Sequence, residues 1–185
     1  ALGRWVYLTR HCLTLQAWHQ VLSLASFAWP QLDALTHGMS IWIACLGWFV
    51  SVQYFVLVEP SQSFKDDCAL WKERGVQFRE IGLLLHAPAL PIAFLDMLAG
   101  KDAVMLREAV APLGSAALLV AYVLFYLCLI TMNYKVVGLW PYGFMKVFGT
   151  DVRKWATFIA GQVAVLSVFF AINVILWYSR VAASG

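Results

Sequence analysis

From Pro112 to Asn133 the chain carries no charged side chain at all. A helix crossing the hydrocarbon core of a bilayer needs about 20 mostly apolar residues. Four further segments approach the same pattern: Arg4 to Trp29, His37 to Val58, Ile81 to Ala99 and Trp155 to Tyr178. The first is the least apolar, since it holds Arg10, His11 and His19. These runs are continuous rather than alternating, which argues against the roughly 10-residue strands of a membrane barrel. Composition agrees. Hydrophobic residues make up 62% of the 185 residues, charged residues 12%, and mean hydropathy is +0.75. A soluble domain carries about 25% charge. The expectation is one all-α polytopic domain over residues 1–185, with about five transmembrane helices in a single bundle. Disorder, collagen and coiled coil are excluded on the same grounds.

The connections differ in character. Trp29 to Asp33 is a short turn, and Gly100 to Ala111 is short and mixed. Glu59 to Glu80 is long and charged, and Tyr134 to Lys154 is long, basic and aromatic. Within the second connection an interfacial helix is expected over about 63–75. Phe64, Cys68 and Trp71 share one face of it, and Ser63 is the expected N-cap. A solvated loop with one helical turn fits that stretch equally well. Ten of the thirteen lysines and arginines fall on the N-terminal side of such a bundle, leaving Lys101, Arg107 and Arg180 opposite. By the positive-inside rule the N-terminus then faces the cytosol, matrix or stroma. An organelle inner membrane, such as the mitochondrial one, and an endomembrane fit alike. A start at Ala1 fits a processed chain.

Net charge is +3, too small to imply a nucleic-acid partner. The four cysteines (Cys12, Cys45, Cys68, Cys128) have no metal-ligand or disulfide spacing. His11, His19 and His37 specify no facing pair of haem ligands. No metal or cofactor is expected, and membrane lipids are the expected partners.

Polar groups at membrane depth are costly and often functional. Thr9 lies about five residues into the first helix and His86 about six into the third. Both helices start on the same side, so both residues lie roughly 7–10 Å deep at ~1.5 Å per residue. A hydroxyl and an imidazole at one depth make a minimal nucleophile–base pair. A structural Thr bonded to its own helix and a structural His fit the same residues. Pro88 and Pro91 interrupt the helix just after His86 and free backbone groups beside it. Amides near that kink are candidate oxyanion donors. Asp96 lies ten residues, hence ~15 Å, beyond His86, too far to orient its ring. It is expected to end the helix near the far interface.

Three blocks of sequence resemble the androgen-induced and androgen-dependent TFPI-regulating protein family of multi-pass membrane hydrolases, which act on fatty acid esters of hydroxy fatty acids. Trp5-Val6-Tyr7-Leu8-Thr9 is similar to that family's W-x-F-L-T stretch. His86, Leu90, Pro91 and Asp96 match its His-x-x-x-L-P block with the following acidic residue. Gly138, Trp140, Tyr142 and Phe144 match its G-x-W-x-Y-x-F block. The resemblance implies Thr9 as nucleophile and His86 as its base, with Asn133, Gly138, Trp140 and Tyr142 shaping the polar end of an acyl-chain pocket. The family has six helices, so the chain reads as a divergent member lacking the helix ahead of Thr9. Leu83, Tyr134, Lys135 and Gly143 stand where the family carries histidines and a proline. Those departures favour a second reading, a non-catalytic accessory subunit of a respiratory or other energy-transducing membrane complex that reuses the fold.

Overall fold

A computed structural model describes residues 7–184. Arg4, Trp5 and Val6 lie outside the described residues. Those described form helices joined by turns, with no strand among them. Helix α1 spans Leu8–Ala25. A 3-10 turn, Pro30–Leu32, leads into the short α2 at Asp33–Gly38. Helix α3, Ser40–Gln53, continues through a π turn at Tyr54–Val58. The amphipathic α4 spans Gln62–Glu73. Next come α5 at Phe78–His86 and α6 at Ala89–Leu95, the latter extended by a second π turn at Asp96–Gly100. A short α7, Ala103–Ala109, precedes α8 at Pro112–Val137. A 3-10 segment, Gly143–Phe148, leads to α9 at Val152–Ala182.

Among the described residues, four stretches are long and apolar enough to cross a membrane: Ser40–Val58, Phe78–Gly100, Pro112–Val137 and Val152–Ala182. The fifth expected span, now α1, falls outside this set because of Arg10, His11, Gln16, His19 and Gln20. It nevertheless packs along α3. It buries Cys12 and His19, with Leu8 and Leu15 packed on the core, while Trp18, Val21 and Leu24 are exposed. Polar groups at depth are tolerated where they face protein rather than lipid.

Helix α3 is the centre of the bundle, packed against α1, α6, α8 and α9. Most of its residues are buried, which suits a helix apolar on all sides. Small residues at Ala44, Cys45, Gly47 and Ser51 let its neighbours approach. Ile41, Cys45, Leu46 and Val50 meet Cys12 of α1, Met97, Leu106, Leu119 and Leu166 in one core. Helices α8 and α9 follow each other in sequence, yet each packs on α3 more than on the other.

The two ends differ. Helix α4 packs on α5 and on the 3-10 segment before α9, at the end where α1 begins. Helices α2 and α7 pack together at the other end, against the last turns of α9. The surface helix is capped by Ser61, whose hydroxyl accepts from the Phe64 amide at 3.2 Å, so the expected cap at Ser63 is corrected by two residues. Ser61 is extended (φ −68°, ψ 144°), as an N-cap requires, whereas Ser63 already lies within the helix.

Candidate active site

Helices α1 and α5–α6 run in the same direction and in register. Thr9 meets His86, and ten residues further along each helix His19 meets Asp96. Thr9 Oγ1 lies 3.1 Å from His86 Nε2. The other ring nitrogen, Nδ1, donates to the Gly82 carbonyl at 2.7 Å. A carbonyl oxygen can only accept, so Nδ1 carries the proton of the neutral ring and Nε2 presents its lone pair. The Thr9 hydroxyl therefore donates to Nε2, the arrangement a general base needs.

The imidazole is held on three sides. Tyr54 stacks on it, with ring centroids 3.8 Å apart and planes 9° from parallel. Tyr54 opens the π turn of α3, a distortion that recurs at functional sites. Gly82 makes room for the Tyr54 ring, since a Cβ there would fall on the Tyr54 hydroxyl. Ser51 Oγ donates to the His86 carbonyl at 2.6 Å. That carbonyl sits where α5 stops ahead of Pro88, so the helix break is closed by a side chain of α3. His86 is 7% exposed.

The Leu8 amide, in the first turn of α1, has no carbonyl partner within its helix. It donates instead to two phenols, Tyr142 at 3.0 Å and Tyr126 at 3.1 Å. Tyr142 also lies within hydrogen-bonding reach of the Thr9 and Tyr126 side chains. Burial pushes the Tyr142 phenol up to about 12.

Thr9, Tyr54, Tyr126 and Tyr142 border a cavity of about 140 Å³. Its other walls are apolar residues of α3, α8 and α9, among them Phe49, Val123, Ile130, Phe158 and Leu166. Gln53 and Gln162 are the amide side chains in its wall. The cavity is apolar, with the Thr9 hydroxyl in its wall and His86 reached through Thr9 rather than lining it.

Of the residues expected to shape that pocket, Tyr142 lies in the wall. The other three do not. Asn133 donates to the Leu139 carbonyl at 3.2 Å and so ties the end of α8 to the following turn. Gly138 terminates α8 in the left-handed region, at φ 71°. Trp140 stacks on Tyr134 at 4.1 Å and packs against Trp155. Their roles are to build the loop that delivers Tyr142. At the kink, Ala87 N donates to the Leu83 carbonyl at 2.9 Å.

The opposite end gathers residues that sequence spacing did not connect. Asp96 does not end its helix but opens a π turn running to Gly100. Its carboxylate lies 4.0 Å from His19 Nδ1 and 3.9 Å from Lys101 Nζ. Lys101 donates to Ser23 Oγ at 2.8 Å. His19 Nε2 donates to the Thr36 carbonyl at 2.9 Å, and His37 Nδ1 to the Asp33 carbonyl at 2.8 Å. Both histidines are occupied in joining helix ends. His11 packs among the rings of Tyr122, Phe125 and Tyr126.

Tyr54, Ser51 and Gly82 were missed in the sequence. Ser51 had a signal, as a hydroxyl within an apolar run, and Gly82 sits one helical turn before His86. Compared with known proteins, the chain matches no protein-family model, no curated protein and no solved structure.

Proposed function

We propose that the protein is an integral membrane hydrolase of lipid esters, with Thr9 as nucleophile and His86 as general base. The observation that carries this reading is the 3.1 Å contact between Thr9 Oγ1 and a His86 ring whose tautomer is set by Gly82. Thr9 also borders an apolar cavity whose lining suits an acyl chain.

In the proposed reaction, His86 Nε2 takes the Thr9 proton as Oγ1 attacks the ester carbonyl carbon. The tetrahedral intermediate collapses and the alkoxide leaves with the proton from Nε2. The acyl chain remains on Thr9 until a water, deprotonated by His86, releases it as a fatty acid. Every step uses side chains of this chain alone. Esters of fatty acids with hydroxy fatty acids are the substrates that the resemblance suggests, and a cavity bounded by three helices of the bundle suits substrate arriving from the bilayer.

Purified protein in detergent, given such an ester, tests the reading. Release of fatty acid that is lost in both Thr9→Ala and His86→Ala supports it. Equal release by Thr9→Ala and wild type would refute it, and absence of turnover in the folded wild type would favour the accessory-subunit reading.

A further inference from the structure

We propose that the Tyr142 hydroxyl is the oxyanion donor of this site, a role that rests on the hydrolase reading above. An ester hydrolase needs a donor aimed at the carbonyl oxygen as charge develops on it, and such a donor is often the largest single contribution to rate. The amide nearest the proline kink, at Ala87, already donates within its helix. The Leu8 amide is also committed, to the two phenols. Tyr142 is a polar group in the cavity wall beside the nucleophile. Its ring lines the same cavity as Thr9, and its hydroxyl lies within reach of the Thr9 side chain.

The bonding around the phenol favours donation. Its oxygen accepts from Leu8 N at 3.0 Å, which directs the hydroxyl proton away from the backbone and draws electron density from the O–H bond. The ring is fixed by edge contact with Tyr7 at 5.6 Å and by stacking with Phe144 at 5.5 Å. Tyr126 shares the Leu8 amide and keeps the second hydroxyl beside the first. With its phenol pushed up to about 12, Tyr142 keeps its proton throughout the range in which His86 could act as a base.

In the step concerned, the bond from Thr9 Oγ1 to the carbonyl carbon forms and the carbonyl π pair moves onto oxygen. Tyr142 holds that oxygen by a hydrogen bond without giving up its proton. On collapse the pair returns, and the bond to the alkoxy oxygen breaks as His86 supplies the proton.

The test compares the full chain in detergent as wild type, Tyr142→Phe and a variant with 3-fluorotyrosine at position 142. Two quantities are read for each: the rate of covalent reaction with an alkyl fluorophosphonate, and the affinity for a non-cleavable ether analogue of the ester. Tyr142→Phe is expected to slow labelling about 100-fold and to leave affinity for the ether within about twofold. The fluorinated phenol, which keeps the hydroxyl, is expected to restore labelling. An unchanged labelling rate in Tyr142→Phe would overturn the assignment. So would loss of both labelling and ether binding, which would mean that the phenol only holds the loop. If wild type shows no labelling that depends on Thr9, the hydrolase reading itself falls, an outcome distinct from the other two.

Discussion

Ser51 of α3 donates a 2.6 Å hydrogen bond to the backbone carbonyl of His86, across the break between α5 and α6. Both residues are buried. The bond fixes where α5 stops and hence where the imidazole is carried. Ser51 touches neither Thr9 nor the cavity, so its effect on chemistry is positional. Ser51→Ala is expected to cost about 1 kcal/mol of stability, the usual net value of one hydrogen bond. It should lower kcat roughly 10-fold, since small misplacement of a base is costly. KM should hardly change. Steady-state kinetics on the purified variant check this, and a pure KM effect would contradict it.

The cavity makes a second prediction. Leu166 is buried on α9 and lines the cavity. Leu166→Trp should fill part of it, at a cost of about 1–3 kcal/mol for overpacking. Turnover of long acyl esters should fall at least about 10-fold, while short-chain esters remain substrates. A chain-length series measured on the variant and the wild type reads this directly. Parallel loss for all chain lengths would argue against the cavity as the acyl site.

Thr9 and His86 could be paired in the sequence because both are polar residues at one depth in helices running the same way. The structure extends that register to His19 and Asp96, which have the same ten-residue spacing. That second contact is legible in principle from the spacing, but Asp96 taken by itself looks like a helix terminus. The pocket residues drawn from the third motif fared differently. Asn133 and Gly138 make local contacts within a few residues of themselves, and Trp140 stacks on Tyr134 and packs against Trp155; such loop chemistry leaves no trace of which side chain reaches the cavity. Tyr54 and Gly82 were invisible because a stacked ring and the space for it belong to tertiary packing. The helix count was readable only in part. Helix α1 buries His19 within the bundle, so composition alone under-describes it.

Lys101 gives a prediction at the other end of the molecule. It is 3% exposed, bonded to Ser23 and near Asp96, and burial pushes its ammonium below the ordinary lysine range. The unfolded chain therefore binds more protons than the folded one at pH values below the ordinary lysine pKa of about 10.4. Stability contributed at this site rises with pH in that window. Measured by thermal unfolding in detergent, the wild type should gain stability relative to Lys101→Met as pH rises from the lowered folded value of this ammonium towards the ordinary lysine value of about 10.4. A difference independent of pH would contradict the burial of a titrating ammonium. Neither protein should differ in Thr9 reactivity, because the cluster lies one α1 length away.

The central claim is an activated hydroxyl at Thr9. The most direct measurement is covalent labelling of the solubilised protein, and of the protein in its native membrane, by a fluorophosphonate probe, with the modified residue located by mass spectrometry. The prediction is one adduct on Thr9, abolished in Thr9→Ala and reduced at least about 100-fold in His86→Ala, with both variants still folded. Folded wild type that stays unlabelled in both preparations, or an adduct elsewhere that persists in Thr9→Ala, would contradict it.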